Sequence, residues 1–385
     1  MKPIYFIIFF TIFFSIYGLI NYYILVRSLQ SFSFNSNVKP YYISFFLLIS
    51  LSFIIGRILE NYWLNPFSKT FVWIGAFWLA AMLYFFLIVF LLDIVRLVNH
   101  IFPFFPQLVI DNYSKVKMYF GVGSIFIVIV SLASGHINAL SPRIERRQIK
   151  IPKISDGAKS INLVVASDIH LGSIIGKKQF DKIVSMINEL DPDVILLPGD
   201  IVDEDLAPVI KENLGISLRN LKSRYGVFAV TGNHEYIGGV EQACKYLEEN
   251  GVKVLRDQCI IVNNTLFLIG REDRSISRFL ERERKSLDEL MKNVDKSKPI
   301  VLMDHQPFQL EEAKQAGIDL QLSGHTHHGQ IWPLNYITRA IYSISWGYKN
   351  DGSTNYYISS GVGTWGPPVR IGNHPEIVNI VLEFN

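Results

Sequence analysis

The chain has 385 residues, of which 49% are hydrophobic and 18% charged. Residues 1–150 contain 12 Lys and Arg and 4 Asp and Glu, whereas residues 151–385 contain 25 Lys and Arg and 30 Asp and Glu. Its mean hydropathy of +0.25 excludes a wholly disordered chain and argues against an ordinary single cytosolic domain. A basic, apolar first part before a mildly acidic second part predicts a membrane anchor and a polar domain, and because no long basic stretch is interleaved with aromatic residues we expect no nucleic-acid binding.

The first part contains four uncharged, apolar stretches. A helix needs about 20 apolar residues to cross the hydrocarbon core of a bilayer, and these stretches meet or approach that length. We therefore predict a transmembrane helical region over residues 1–142, followed by a basic linker over residues 143–159. The predicted spans lie near residues 4–26, 40–58, 70–92 and 118–138.

Two apolar segments in this region have an alternative interpretation. The first stretch could be a cleaved signal peptide, but its apolar run is longer than the usual ~7–15 residues, and no small-residue cleavage site follows Ile24 cleanly. Residues 101–110 are also apolar, but Pro103 and Pro106 interrupt them. These prolines favour an interfacial loop over a fifth span.

The distribution of Lys and Arg predicts the orientation of the spans. With the N-terminus inside, four spans place eight basic residues on the inner side and five on the outer side, which agrees with the positive-inside rule. We therefore expect an integral protein of the cell membrane whose second part is cytoplasmic. One span more or fewer would reverse this orientation.

From residue 161 onward, short β-branched runs alternate with amphipathic helical stretches. This alternation predicts an α/β sandwich over residues 160–385. The predicted strands are residues 161–166, 194–197, 227–230, 300–303 and 320–322, and the predicted helices are residues 178–190, 239–250, 278–293 and 309–316.

Polar residues with metal-binding side chains follow each of these strands. They are Asp168 and His170 after the first strand, Asp200 after the second, Asn233, His234 and Glu235 after the third, Asp304 and His305 after the fourth, and His325, His327 and His328 after the fifth. Ligand sites in α/β folds gather at the carboxyl ends of strands. Taken singly, each motif has an ordinary explanation, such as a helix N-cap at Asn233, but their joint order points to one site.

The types of side chain indicate the kind of metal. Imidazole and carboxylate together suit Zn, Mn or Fe, whereas an all-oxygen set would suit Mg or Ca. Asp168 and His170 lie on the same side of an extended segment, so both can reach one ion. Asp200, alone after its strand, is the natural candidate to bridge two ions. The sequence therefore predicts two divalent metal ions as cofactors.

The two cysteines do not take part in this site. Cys244 and Cys259 form no C-x-x-C pair, which excludes a disulfide framework and argues against a cysteine-ligated metal. We interpret both as small buried hydrophobic residues.

The joint pattern resembles the signature of a known family. The motifs are Asp168-x-His170, Gly199-Asp200, Gly232-Asn233-His234-Glu235, His305 and Gly324-His325-x-His327. Over residues 160–385 the chain resembles the calcineurin-like metallophosphoesterases, and its apolar N-terminal stretches are similar to those of a membrane-associated branch. The resemblance implies a four-layer α/β/β/α sandwich and a metal-dependent phosphoric ester hydrolase.

The resemblance also implies a role for each site residue. Asp168, His170 and His327 would bind the first metal, Asn233, His305 and His325 would bind the second, and Asp200 would bridge the two. His234 would stabilise the phosphoryl oxygen or protonate the leaving alkoxide during attack by a metal-bridged hydroxide, so that His234, Asn233 and Asp200 form the catalytic set. Two positions depart from the branch: His328 stands where Gly is often found, and Asp304 stands where Ser is common.

The identity of the substrate stays open between several interpretations. Four spans exceed what an anchor requires, which favours a phosphoester or pyrophosphate of a lipid or lipid-linked molecule. Residues 331–348, rich in Trp, Tyr and Ile, form either an interfacial lid or a buried β-hairpin, and we expect residues 359–364 at the rim of the site. The alternatives are a tethered phosphodiesterase of soluble nucleotides and a non-catalytic membrane sensor or scaffold. A transporter is disfavoured because we expect no buried charge pairs in the spans.

Overall fold

The chain divides into two compact units. The computed structural model describes the backbone of residues 3–385 and, apart from residues 3–6 and 9, their side chains. The helical unit comprises the residues up to His136 together with Gly366–Val369, and the sandwich unit comprises Ile137–Trp365 together with Arg370–Asn385.

Long apolar helices make up the helical unit. The helices are α1 (Pro3–Phe32), α2 (Lys39–Tyr62), α3 (Pro66–Ile101), α4 (Gln107–Asp111) and α5 (Tyr113–Ala139). Among the described residues, all but α4 are long and apolar enough to cross a membrane. The prediction of four apolar helices is thereby confirmed, and the Pro-interrupted segment near residue 106 holds only the short α4.

The helices α2 and α3 approach each other closely. The turn between them ends in a capping box in which the Asn65 side chain accepts hydrogen bonds from the backbone of the first turn of α3, with Pro66 as its first residue. A Cβ built on Gly75 would lie 2.1 Å from the backbone nitrogen of Phe53. Only glycine permits this contact, as is usual where helices pack in a membrane.

Ionised groups lie within two of the long helices. The Asp93 carboxylate of α3 lies 2.6 Å from Arg27 Nη2 of α1 and 2.8 Å from Arg96 Nη1. The helices continue beyond the uncharged stretches, so these three partly exposed groups lie just outside the predicted spans 4–26 and 70–92. The expectation of spans without buried charge pairs stays a prediction.

The sandwich unit contains twelve strands among the described residues. Its strands are β1 (Arg143–Ile151), β2 (Ser160–Val165), β3 (Val194–Pro198), β4 (Val227–Val230), β5 (Lys253–Val254), β6 (Gln258–Val262), β7 (Leu266–Gly270), β8 (Ile300–Met303), β9 (Leu320–Ser323), β10 (Gly347–Asp351), β11 (Thr354–Ile358) and β12 (Glu376–Phe384). They form two six-stranded sheets, with the orders β1-β12-β2-β3-β4-β5 and β10-β11-β9-β8-β7-β6.

Helices connect the strands of the sandwich unit. They are α6 (Lys177–Asn188), α7 (Leu206–Lys211), α8 (Leu214–Arg219), α9 (Asn233–Gly238), α10 (Val240–Glu249), α11 (Ile276–Phe279), α12 (Leu287–Met291), α13 (Glu311–Ala316) and α14 (Leu334–Ile341). The strands β2, β3 and β4 run parallel, as do β7, β8 and β9. Their carboxyl ends therefore lie at one edge of each sheet.

Three apolar clusters give the unit its layers. One cluster joins buried side chains of both sheets, such as Leu163 and Leu322, and fills the space between them. A second packs helices including α6 and α10 on the outer face of the first sheet, and a third packs α12 and α13 on the outer face of the second. The predicted α/β/β/α sandwich is confirmed.

Two predicted elements were wrong. Residues 278–293, predicted as one helix, contain the end of α11 and the whole of α12, separated by a break in which Glu281 has a φ of +53°. A new helix begins after Ser286, which shares a capping box with Glu289. Residues 143–151, predicted as part of a linker, form β1, which pairs in parallel with β12; this pairing is long-range and leaves no local signal in a basic sequence.

Candidate metal centre

The side chains predicted for the site lie directly after β2, β3, β4, β8 and β9, and those after β4 belong to the first turn of α9. Several of them occupy the left-handed region of the backbone map, which costs non-glycine residues free energy. These residues are Asp168 (φ +52°), His170 (+54°), Asp200 (+51°), His325 (+71°) and His327 (+44°). Strain of this kind persists where packing holds it in place, and here it occurs in the three loops after β2, β3 and β9.

The first group consists of Asp168, His170 and His327, all of them buried. Nε2 of His170 lies 3.0 Å from Nε2 of His327, and Oδ1 of Asp168 lies 3.6 Å from the same His327 nitrogen. Burial and the charge of Arg370 hold the pKa of His327 well below its usual range. The imidazole is therefore neutral, which is the form that binds a metal.

The second group consists of Asp200, His305 and His325, with Asn233 beside them. Oδ1 of Asn233 lies 2.7 Å from Nδ1 of His325. Nδ1 of His305 lies 2.7 Å from the carbonyl oxygen of Pro198. Because Nδ1 is taken up by this carbonyl, Nε2 is the nitrogen that faces the group and would bind a metal there.

One carboxylate oxygen lies between the two groups. Oδ2 of Asp200 is 3.0 Å from Nε2 of His305 and 4.0 Å from Nε2 of His170. Burial opposes ionisation of Asp200, but the charges of His305 and His234 outweigh it and hold its pKa well below the usual range. Asp200 is thus an anion shared by both groups.

The residues of both groups fit a pair of divalent cations. Oδ2 of Asp168 is buried and has no hydrogen-bond partner among the described residues, although an unpaired buried carboxylate oxygen is costly. A cation between Asp168, His170 and His327 would satisfy it. Imidazole, carboxylate and amide donors together suit Zn, Mn or Fe better than Mg or Ca.

Glycine is required at two points beside these carboxylates. A Cβ built on Gly232 would lie 2.1 Å from Oδ1 of Asp200, and one on Gly324 would lie 2.2 Å from Oδ2 of Asp168. The two chains therefore approach the carboxylates more closely than any other residue allows.

Glu235 stabilises the backbone of the loop that carries Asp200. Its buried carboxylate accepts hydrogen bonds from the backbone nitrogens of Asp200 (3.1 Å), Ile201 (2.7 Å), Val202 (2.9 Å) and Gly232 (2.7 Å). The interpretation of Asn233 as a helix N-cap was wrong, because Gly232 is the N-cap residue of α9 and Asn233 turns its side chain toward His325. Glu235 closes the capping box of α9 and also fixes the loop that carries Asp200.

His234 lies at the edge of the two groups and is paired with a residue that the sequence analysis missed. Nδ1 of His234 is 3.1 Å from Oδ1 of Asp203, which is also 3.7 Å from Nδ1 of His170. Burial lowers the pKa of His234, but the charges of Asp200 and Asp203 outweigh it and raise this pKa to about 9. The sequence signal that could have identified Asp203 was a second carboxylate three residues after Asp200.

Arg370 is the second residue that the sequence analysis missed. Its fully buried guanidinium donates to the carbonyl oxygens of Ser360 (2.7 Å) and Gly361 (3.1 Å) and lies 3.1 Å from Nδ1 of His327. The loop of residues 359–364 therefore borders the first group, where Gly363 N donates to the carbonyl oxygen of Asp168. This is the rim position expected for the loop.

The two positions that depart from the family pattern face away from the metal groups. Asp304 lies 3.2 Å from Arg271 and 2.9 Å from Arg284, in a buried ion cluster. Nδ1 of His328 lies 3.0 Å from the hydroxyl of Ser345. Both residues therefore make structural contacts.

The aromatic segment after His327 divides into two parts. Large apolar side chains are exposed on α14 and in the segment just before it. The exposed fractions are 47% for Trp332, 61% for Tyr336, 56% for Ile337 and 58% for Ile341. Further along, β10 and β11 form an antiparallel hairpin. The interfacial lid stays a prediction, supported only by the exposure of α14. The buried hairpin is not found over residues 331–348, because only residues 347–348 enter the hairpin and β10 is mostly exposed.

Comparison with known proteins places this arrangement in a family. The Calcineurin-like phosphoesterase family matches residues 161–329. Over 260 residues the chain is 34% identical to an uncharacterized metallophosphoesterase of Aquifex aeolicus, a match that covers 67% of this chain and 98% of that protein. The chain belongs to the calcineurin-like phosphoesterases.

Two further relatives of this phosphoesterase are longer than the matched region. An uncharacterized metallophosphoesterase of Helicobacter pylori is 35% identical over 247 residues, covering 63% of this chain and 64% of that one. A transmembrane protein with metallophosphoesterase domain of Danio rerio is 32% identical over 273 residues, covering 68% and 62%. The chain thus spans less than two-thirds of these two relatives. The four apolar helices indicate that this phosphoesterase is a membrane protein.

Proposed function

We propose that this chain is a membrane-bound phosphoester hydrolase with two divalent metal ions. Asp168, His170 and His327 would hold the first ion, Asn233, His305 and His325 would hold the second, and Asp200 would be shared between them. The observation that supports this assignment most strongly is the position of Asp200 Oδ2, 3.0 Å from His305 and 4.0 Å from His170. A shared carboxylate between two nitrogen-rich groups is the arrangement that a dinuclear centre requires.

The chain's own residues supply the remaining steps. When bound, the metal pair polarises the phosphoryl oxygens and acidifies water. His234 is held as a cation by Asp200 and Asp203, so it can donate a proton from Nε2 to the departing alkoxide oxygen, since Nδ1 is engaged by Asp203. Its burial limits exchange of this proton with bulk water.

A lipidic phosphoester or pyrophosphate is the substrate class that the surroundings support best. The exposed apolar side chains of α14 follow the His327 loop by only a few residues. Exposed apolar surface of this kind is typical of segments that enter a membrane interface or bind an apolar ligand.

The sandwich unit is proposed to face the cytoplasm. This follows from four spans with the N-terminus inside, which place eight Lys and Arg on the inner side and five on the outer side. Protease accessibility in sealed right-side-out vesicles tests the proposal: residues 160–385 should be protected until the vesicles are opened.

The activity itself is tested with the full chain purified in detergent and supplied with Mn²⁺. We expect hydrolysis of bis-p-nitrophenyl phosphate, loss of this activity on chelation, and none in the Asp200→Ala variant. A comparison of lipid phosphoesters with nucleotides then distinguishes the substrate classes. A metal-replete wild-type protein that hydrolyses none of these compounds would establish a scaffold instead of an enzyme.

A further inference from the structure

A cavity lies between the helices of the helical unit. Its volume is about 180 Å³, and it is lined by residues of α1, α2, α3 and α5. Most of its wall is apolar, with Ile24, Phe46, Trp78, Phe85 and Phe120 among the lining residues. A second apolar pocket shares Leu92, Arg96, Lys117 and Phe120 with it and extends it toward α4.

Cations line one end of this cavity. Arg27 lies five residues before the end of α1, Arg96 five residues before the end of α3, and Lys117 four residues after the start of α5. At 1.5 Å per residue these positions are each within about 8 Å of a helix end. The three cations thus lie toward one end of the helices, the side on which the phosphates of one leaflet would lie, whereas Ile49 and Trp78 lie deeper along their helices.

The charges at this end do not cancel. The Asp93 carboxylate is shared between Arg27 (2.6 Å) and Arg96 (2.8 Å) and accepts a hydrogen bond from Tyr23 (2.5 Å). The ammonium group of Lys117 lies 5.4 Å from the centre of the Tyr113 ring. Three cations against one carboxylate leave an excess of positive charge beside an apolar cavity. Ionised side chains in a membrane are costly, and they are retained where a partner offsets the cost.

We infer that this cavity binds an anionic phospholipid, with an acyl chain between the helices and the phosphate beside Arg27, Arg96 and Lys117. The charge pattern selects the headgroup: the excess positive charge attracts a net anionic headgroup and repels the ammonium of a zwitterionic one. The length of the apolar wall selects a lipid over a soluble anion. All lining residues lie between residues 24 and 125, so this site uses none of the proposed metal ligands and is independent of the proposed hydrolase activity.

The inference is tested by native mass spectrometry of the full chain released from detergent, titrated with phosphatidylglycerol or phosphatidylcholine of identical acyl chains. We expect tight retention of one phosphatidylglycerol and weaker retention of phosphatidylcholine. Lys117→Gln removes a cation and leaves the Asp93 ion group intact, so the preference for phosphatidylglycerol should fall about fivefold.

Lys115→Gln is the matched control, because Lys115 is exposed on the same turn of α5 and does not line the cavity. It should keep the wild-type preference. Equal retention of the two lipids by the wild-type chain would overturn the inference, as would equal effects of Lys117→Gln and Lys115→Gln. The first comparison needs no variant and therefore decides the matter even if a substituted chain fails to fold.

Discussion

The carboxylate of Asp203 lies 3.1 Å from Nδ1 of His234. This contact fixes the orientation of the imidazole and, together with Asp200, keeps it protonated. If His234 is the proton donor, its efficiency depends on Asp203 even though Asp203 is no proposed metal ligand.

We therefore expect Asp203→Asn to lower kcat about 100-fold, the lower end of what general acid catalysis contributes, while metal content stays near that of the wild type. Steady-state kinetics and elemental analysis of the same preparation measure both quantities. Asp205→Asn is the control, since Asp205 caps α7 and Asn caps a helix equally well. An Asp203→Asn protein that loses its metals would assign Asp203 to metal binding.

Replacing Gly232 tests how closely the chain must approach Asp200. In Gly232→Ala the new Cβ would lie 2.1 Å from Oδ1 of Asp200, an oxygen held by the backbone nitrogen of His234 at 2.9 Å. We expect at least a 100-fold loss of activity and weaker metal retention because the bridging carboxylate must move. Gly123→Ala, at a helical position with open space around it, should leave both unchanged. Full activity in Gly232→Ala would show that the carboxylate tolerates displacement.

The ion cluster around Asp304 should act on stability. Arg271, Arg284 and Asp304 all have side chains at most 9% exposed. Removal of the carboxylate takes away the ion-pair partner of buried Arg284 and leaves Arg271 with only the partly exposed Glu312. We expect Asp304→Ala to lower the free energy of unfolding by about 3–5 kcal/mol, measured by chemical denaturation. Glu312→Gln, at a 37% exposed partner of Arg271, should cost less than about 1 kcal/mol. If the two substitutions lowered the free energy of unfolding equally, burial would not explain the stabilising effect of Asp304.

These findings show which parts of the structure local sequence predicts. The strands 227–230 and 300–303 have the predicted bounds because a short, fully buried β-branched run has one stable environment. Residues 278–293 were wrongly predicted as one helix because their hydrophobic periodicity is helical. In the structure Arg284 instead forms an ion pair with Asp304, which is distant in sequence. The structure brings every predicted site residue to the two groups or beside them. The sequence did not predict Asp203 and Arg370 as site residues, because neither belongs to a histidine motif. Tertiary packing determines which side chains they contact.

The exposed face of α14 should matter only for substrates in a membrane. We expect Ile337→Glu to lower turnover of a phosphoester lipid in vesicles about tenfold or more, the equivalent of losing the burial of one large aliphatic side chain, and to leave hydrolysis of bis-p-nitrophenyl phosphate unchanged. Ile261→Glu is a matched control, because Ile261 is equally exposed, at 57% against 56%, on β6. If both variants lower vesicle turnover alike, the effect belongs to the added charge and not to α14.

The most direct test of the proposed metal pair is a crystal structure of the full-length protein, crystallised in the presence of Mn²⁺. Anomalous diffraction is recorded at a wavelength where Mn scatters anomalously, and the sandwich unit is searched for metal peaks. Two anomalous peaks should appear about 3.5–4 Å apart, both within bonding distance of Asp200, one beside His170 and one beside His305. A single peak, or two peaks that share no ligand, would contradict the assignment of a bridged metal pair.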